Sequence, residues 1–321
     1  MKRLQNVLVH GAKAGIKTAF WVLKMMIPIT LGVTLLKWAG VIALLAEWAL
    51  PFFKYFGLSA QGVLVFITAS LTNLYSAIAL FATLEIDFRM ATILAAATLI
   101  CHNLIVETVI QRKAGASALY MVLLRVGTGL LVAFMLNIIL PTDYSGTLIV
   151  DKHPVAESTL WGILWEWGVS MLKLTPIILG LIVALNCLQQ FLKEFKLINL
   201  LVIPFKPLMR LFGLAPESSF LWAVMNSLGL AYGGAVLIAE YQEGEINPSQ
   251  ARLLNTHVAI THSLLEDTLL FAAVGIGAFW LFVPRLVLSV AAVWIERFFR
   301  AQVLDTSRVL SPKPVQPPQE Y

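Results

Sequence analysis

Charged residues are scarce in this sequence. Only 13% of the 321 residues are Asp, Glu, Lys or Arg, whereas soluble domains carry about 25%. Hydrophobic residues make up 59% of the chain, and several apolar runs reach the ~20 residues that a helix needs to cross a bilayer. This composition excludes an ordinary soluble domain. It predicts an all-α, polytopic membrane protein whose first partner is the lipid bilayer.

Other features are missing as well. Two cysteines, Cys101 and Cys187, are too few for a disulfide framework or a zinc knuckle. No G-x-x-x-x-G-K-[ST] pattern is present, which argues against a phosphate-binding loop of that type. The formal net charge is +5, but the basic residues are spread over short loops and both ends. We therefore expect no nucleic-acid partner.

The two ends of the chain differ in composition from its apolar middle. Residues 1–14 form a basic amphipathic stretch, and no small-residue cleavage site follows the first apolar run, so we expect a retained first helix. Residues 301–321 include several prolines and predict a disordered tail. The positive-inside rule places both termini in the cytoplasm.

An internal repeat runs through the sequence. Residues 85–125 align without a gap on residues 245–285, with 11 identical pairs in 41 positions that include histidine, arginine and glutamate. Weaker matches extend the units to 15–140 and 163–300, joined by a predicted extracytoplasmic loop at 141–162. Each unit has five helical candidates, at 15–36, 38–55, 61–83, 89–111 and 117–140 and at 164–186, 188–206, 218–240, 249–272 and 276–298.

An odd number of crossings inverts the second unit relative to the first. We therefore predict about ten membrane helices as two inverted five-helix repeats, although segments 38–55 and 188–206 either span the membrane or re-enter it. Inverted repeats are typical of secondary transporters, which bind their substrate near the bilayer midplane. An inherited duplication with no transport role is the alternative.

Buried charges recur at equal depth in the two units. Glu107 and Arg125 are equidistant from the turn near Gly115, and Asp267 and Arg285 are placed likewise in the second unit. Each residue is about nine positions from its turn, or roughly 13 Å along a helix. We predict one ion pair in each hairpin, which serves either to fix the register of the hairpin or to meet a solute or proton.

Histidines occupy matched positions, His102 and His262, and approach each other if the repeats are inverted. With nearby carboxylates they form a candidate divalent-metal site, whose predicted ligands are His102, His262, Glu107 and Glu266. A proton relay and a plain interhelical hydrogen bond are the alternatives. The wider set of predicted substrate-binding or ion-binding residues adds Asn103, Arg125, Asn226, His257, Asp267 and Arg285. No serine or cysteine nucleophile pattern accompanies the histidines, so we do not expect an enzyme.

Three stretches carry a family resemblance: N-S-L-G-L-A-Y-G-G-A at 226–235, E-I-N-P-S-Q-A-R-L-L-N-T-H at 245–257 and T-H-S-L-L-E-D-T at 261–268. The second unit resembles the Gate domain, also called the nucleoside-recognition domain. That domain occurs in spore-maturation membrane proteins and in the membrane region of ferrous-iron transporter B. The resemblance implies a bacterial or archaeal cytoplasmic membrane protein. It implies either a permease for a small ion or polar solute or a non-transporting component. It leaves open a homo-oligomer or a membrane partner protein. The histidines, cysteine and carboxylates slightly favour a divalent metal over a nucleoside as the substrate.

Overall fold

A computed structural model describes residues 2–84, 86–148, 159–195 and 197–310, and every regular element in these ranges is helical. The α-helices are α1 (Lys2–Trp38), α2 (Val41–Phe53), α3 (Ala60–Leu71), α4 (Leu74–Thr83), α5 (Phe88–Cys101), α6 (Leu104–Lys113), α7 (Ala118–Ile139), α8 (Leu160–Glu194), α9 (Leu197–Leu211), α10 (Ser219–Glu243), α11 (Pro248–Thr261), α12 (Leu264–Ala273) and α13 (Ala278–Leu310).

Breaks divide the predicted spans. Segment 61–83 is two helices, α3 and α4, and segments 89–111 and 249–272 are likewise α5 with α6 and α11 with α12. Segment 218–240 lies in α10, whose backbone leaves the helical region at Gly229 (φ 81°, ψ 169°). The broken pieces α4, α6 and α12 have 10 residues each, so each rises only about 15 Å, half of the hydrocarbon core.

The number of clear spans is therefore lower than the predicted ten. By length and composition, four stretches of the described residues are able to cross a membrane: Phe88–Lys113, Ala118–Ile139, Leu160–Leu192 and Ala278–Arg300. A fifth arises if Leu50–Phe56 and Ala60–Leu71, which are bent by 85°, count as one. Segment 38–55 holds the 13-residue α2. Segment 188–206 covers the end of α8 and most of α9.

The predicted boundaries also differ at the ends. Helix α1 runs without interruption past the expected boundary at residue 14. Helix α13 continues to Leu310, into the segment predicted to be a disordered tail. Residues 311–321 and residues 149–158 of the predicted loop 141–162 lie outside the described residues.

Helices α1 and α8 pack side by side in opposite directions. Gly11 lies against Cys187 and Gly15 against Val183, while Trp167 donates its indole N–H to Thr30 Oγ1 at 3.2 Å. As the residue number rises along α1, the number of its contact on α8 falls. A side chain at Gly11 or Gly15 would place its Cβ 2.6 or 2.7 Å from a Cα atom of α8, so glycine permits this close approach.

The two halves of the chain interlock at the centre. Helix α6 packs on α10, α5 on α13 and α11 on α7. Helix α5 is almost wholly buried, from Ala91 to Cys101, and α11 is buried from Leu254 to Thr261. The breaks that follow α5 and α11 therefore lie inside the protein, where main-chain groups need internal partners.

Candidate functional site

The candidate site is built on two matching helix breaks. Asn103 separates α5 from α6 with left-handed backbone angles (φ 49°, ψ 35°), and Ser263 separates α11 from α12 in the same way (φ 52°, ψ 29°). These are the positive-φ residues other than glycine in the described chain. Each break is held by a third helix, because Asn103 N donates to Ala69 O at 3.1 Å and Ser263 N donates to Met225 O at 3.0 Å. Such unusual backbone persists only where the surroundings enforce it.

An arginine caps each break. Arg125 donates from Nε to Ile100 O at 2.8 Å and from Nη2 to His102 O at 2.6 Å. Arg285 makes the equivalent bonds to Ile260 O at 3.0 Å and His262 O at 2.5 Å. The last carbonyls of a helix have no partner within it, and the rigid guanidinium fork supplies two donors at once. Both arginines are fully buried.

Each histidine is held in the same tautomer by the helix that precedes it, α5 for His102 and α11 for His262. His102 Nδ1 lies 3.2 Å from Thr98 O, and His262 Nδ1 lies 3.1 Å from Val258 O. A carbonyl only accepts, so in the neutral ring Nδ1 carries the proton and Nε2 presents a lone pair. The two rings are 5.0 Å apart between centroids. The histidines that are 160 positions apart in sequence therefore meet.

Carboxylates from both halves of the chain face these lone pairs. Glu107 Oε2 is 2.9 Å from His262 Nε2 and 2.7 Å from Arg125 Nη2. His102 Nε2 is 3.5 Å from Glu107 Oε1 and 3.8 Å from Asp267 Oδ2. The predicted Glu107–Arg125 ion pair is confirmed. The centre thus joins both units through the histidines and carboxylates.

The predicted Asp267–Arg285 pair is wrong. No ion pair within 4.0 Å joins these residues, although both belong to the described chain. Asp267 aligns with Glu107 but is one methylene shorter, and Arg285 already donates to two carbonyls. Asp267 Oδ2 and Arg285 Nη1 are buried and have no hydrogen-bond partner within the described residues, and Arg125 Nη1 likewise has none. The two halves of the centre therefore differ in their ion pairing.

His102, Glu107 and His262 form a group with metal-binding potential. Each offers one ligand atom, and these atoms lie within 4.8 Å of one another. Imidazole and carboxylate ligands suit Zn²⁺, Fe²⁺ and neighbouring divalent ions. The main-chain acceptors at both Nδ1 atoms are the outer contacts that orient metal-binding histidines. The residues present fit such an ion.

Glu266, also predicted as a ligand, is outside this group. Its Oε2 lies 3.8 Å from the point where a Cβ would sit on Gly229, so the carboxylate faces the break in α10. The reason is helical geometry, because Glu266 and Asp267 are adjacent and point about 100° apart on α12. Asp267 is the residue that turns toward His102.

Two further candidates, Asn103 and Asn226, and the neighbouring Cys101 have other contacts. Asn103 serves through its backbone at the break, as described above. Asn226 donates from Nδ2 to Trp222 O at 2.9 Å, and its buried Oδ1 has no partner in the described part of the chain. Cys101 donates its thiol to Arg125 O at 2.9 Å, so the sulfur is committed to the main chain.

His257 belongs to a separate cluster. Trp222 Nε1 lies 3.2 Å from His257 Nδ1, and an indole only donates, so this ring carries its proton on Nε2. That Nε2 lies 3.2 Å from Ser289 Oγ. Because both nitrogens are occupied and the tautomer is opposite to that of His102 and His262, His257 joins α10, α11 and α13 rather than the centre.

Two polar residues near the centre, Tyr75 and Gln111, are not among the predicted site residues. Tyr75 on α4 lies within Coulombic range of Glu266 and Asp267. Gln111, one turn after Glu107 on α6, is fully buried and bonded to α11 at Asn255. The i, i+4 spacing of Glu107 and Gln111 was a usable signal, since such residues share a helix face.

The chain is similar to a protein described as uncharacterized membrane protein YvoD from Bacillus subtilis (strain 168). The two are 28% identical over 305 residues, which cover 91% of this chain and 96% of that protein. No protein-family profile matches the sequence, and no solved structure matches it. The similarity to a membrane protein, together with the apolar helices, establishes that the chain is a helical membrane protein.

Proposed function

We propose that this helical membrane protein is a permease of the Gate-domain type that moves a small cation across a bacterial or archaeal cytoplasmic membrane. The observation that carries the proposal is the convergence of His102 Nε2, His262 Nε2 and the Glu107 carboxylate inside the protein. Ionisable residues at membrane depth are costly, and where they occur they commonly mark a substrate or ion pathway.

The contact between His262 and Glu107 favours a cation. A neutral imidazole whose Nδ1 is protonated presents a lone pair at Nε2, and a carboxylate oxygen lies 2.9 Å from it. Two acceptors at this distance repel each other unless a proton or a metal ion lies between them. A nucleoside would instead require several donors and acceptors arranged around a base and a sugar. A divalent metal ion is therefore the favoured substrate.

The charge balance of the centre is better suited to a transported divalent ion than to a permanently bound one. Two guanidinium groups, Arg125 and Arg285, offset the carboxylates of Glu107 and Asp267. A divalent ion adds positive charge to a site that is already neutral, in a medium of low dielectric constant. Binding is then weak enough for release, as conduction through a membrane requires.

Alternating access by two inverted repeats is part of the proposal. The antiparallel packing of α1 and α8, which begin the two units, supports the inversion. The left-handed residues Asn103 and Ser263, each followed 22 positions later by the arginine that caps its break, support the equivalence of the units. Cytoplasmic termini, expected from the positive-inside rule, are part of the same proposal.

Transport by reconstituted protein tests the proposal. Proteoliposomes are loaded with a metal-sensitive dye, and uptake of Mn²⁺, Fe²⁺, Co²⁺ and Zn²⁺ is measured for the unmodified protein, His262→Ala and Glu107→Gln. Loss of an outer contact alone weakens metal sites by about 10–100-fold, so we expect loss of a ligand to lower uptake by about 100-fold or more. His257→Gln is the matched histidine control and should retain uptake. Equal uptake by His262→Ala and the unmodified protein would refute the assignment.

A second function is favoured by one observation. Both arginines donate to main-chain carbonyls, which explains their charges as architecture without any substrate. The protein would then be a non-transporting component that assembles with copies of itself or with a membrane partner. In that case, His262→Ala should preserve assembly, and no metal should bind to the correctly folded protein.

A further inference from the structure

Two fully buried amides lie beside the central site. Gln111 Nε2 donates to Asn255 O at 3.1 Å, and Asn255 Nδ2 donates to Ala114 O and Ala251 O, each at 3.0 Å. Carbonyl oxygens only accept, so these contacts fix which end of each amide is the nitrogen. The remaining oxygens, Gln111 Oε1 and Asn255 Oδ1, have no hydrogen-bond donor among the described residues. Buried carbonyl groups without a donor are uncommon in proteins.

The amide pair lies between the centre and a cavity. Gln111 follows Glu107 by one turn of α6, about 6 Å, and Asn255 precedes His262 by two turns of α11, about 10 Å. Two residues beyond Gln111, Lys113 lines a cavity of about 800 Å³ at the ends of α6, α10 and α11. Cavity, amide pair and central site therefore follow one another along α6 and α11.

The positions that correspond to Gln111 and Asn255 in the other unit are apolar. Phe271 aligns with Gln111, and Ala95 aligns with Asn255. The ring of Phe271 packs on that of Phe81, with centroids 6.1 Å apart, and both side chains are fully buried. Phe271, with Phe81 packed against it, therefore occupies the position that Gln111 holds in the first unit.

These two positions are at opposite ends of α7. Gly115, after α6, packs against Tyr241 near the cavity, and α7 begins just beyond it. Gly275, after α12, packs against Thr147, a few residues past the other end of α7. Helix α7 has 22 residues and a length of about 33 Å. The amides and the aromatic pair thus lie on different sides of the central site.

We propose that Gln111 and Asn255 form a transfer site, at which their side-chain oxygens replace water around the cation on its way between the cavity and the centre. In the same conformation, Phe81 and Phe271 close the opposite route. The inference rests on the proposed function for the identity of the ion. Amide and carbonyl oxygens are ligands for hard cations, and membrane pathways use such oxygens in place of a hydration shell.

Uptake and binding separate this role from that of the central ligands. Gln111→Met keeps the volume of the side chain but lacks the oxygen, and Phe271→Met is the matched control from the second unit. For Gln111→Met we expect initial Mn²⁺ uptake to fall by about tenfold, as for the loss of one ligand in a barrier-crossing step. Equilibrium Mn²⁺ binding should stay within about twofold, since His102, Glu107 and His262 are unchanged. Gln111→Glu retains an oxygen, so it should take up Mn²⁺ faster than Gln111→Met. Unchanged uptake by a folded Gln111→Met protein would overturn the transfer site.

A thiol experiment gives a result even if the unmodified protein moves no Mn²⁺. In a Cys101→Ala, Cys187→Ala background, Gln111→Cys is compared with Ala95→Cys, which lies on the aromatic side and keeps both rings. Both are exposed to Ag⁺ in proteoliposomes, and the loss of free thiol is followed. We expect Gln111→Cys to react at least about tenfold faster, because the polar route admits a cation and the aromatic route does not. Faster reaction without Mn²⁺ uptake rejects divalent-metal transport and keeps the polar route. Equal rates, or a faster Ala95→Cys, reject the route itself.

Discussion

Substitution of Arg125 by methionine, compared with the same change at Arg285, measures what the central ion pair contributes. Both arginines are fully buried, and each donates to two main-chain carbonyls of its helix break. They differ in one respect, because Arg125 also pairs with Glu107 at 2.7 Å. Both substitutions therefore remove the donors to two carbonyls, and only Arg125→Met also removes the partner of Glu107.

The magnitudes follow from these contacts. A buried carbonyl left without its donor costs about 1–3 kcal/mol, so two carbonyls give a loss of about 2–6 kcal/mol for either substitution. Removing one partner of a buried ion pair costs a further ~3–5 kcal/mol, because the remaining charge is uncompensated. Arg125→Met should therefore be less stable than Arg285→Met by about 3–5 kcal/mol. Since proteins are stable by only about 5–15 kcal/mol, Arg125→Met is close to complete unfolding.

Unfolding of the purified protein in mixed detergent micelles provides the assay, with helical circular dichroism as the readout. The double variant Arg125→Met with Glu107→Gln removes the stranded charge. It should recover most of the difference and approach the stability of Arg285→Met. Equal stability of Arg285→Met and Arg125→Met, or no gain in stability from the added Glu107→Gln change, would refute the contribution of the ion pair.

Two further predictions concern spacing. Asp267→Glu adds the methylene that Glu107 has and should bring the carboxylate to Arg285, which raises stability by about 1–3 kcal/mol in the same unfolding assay; unchanged stability would contradict the explanation for the missing pair. Gly15→Leu forces a side chain against the Cα of Val183 and should destabilise the α1–α8 contact by about 1–3 kcal/mol. Gly32→Leu, a position with nothing within 4 Å of its Cβ, is the matched control and should change stability little; similar losses for both leucine variants would refute the packing role of Gly15.

Several features of the site could be predicted from the sequence because they depend on local order and on the repeat. The 160-residue offset aligned both histidines, both carboxylates and both arginines, and the distance of Glu107 and Arg125 from a common turn indicated their pairing. The helix breaks were harder to predict. His102–Asn103 and His262–Ser263 contain neither glycine nor proline, so they lack the usual signals for a break. Their left-handed residues are held by the hydrogen bonds that they donate to the carbonyls of Ala69 and Met225, which belong to distant parts of the chain.

Composition alone determined that this is a helical membrane protein, since so few charges leave little alternative to burial in lipid. The internal repeat determined which polar residues correspond to one another. Only the tertiary structure decided which of them meet. A single methylene separates Glu107, which reaches its arginine, from Asp267, which does not. The main-chain acceptor at Nδ1 decides whether a histidine presents a lone pair to the centre, as His262 does, or a proton to a neighbouring helix, as His257 does. Such differences of one bond length or one hydrogen bond depend on how helices from distant parts of the sequence pack.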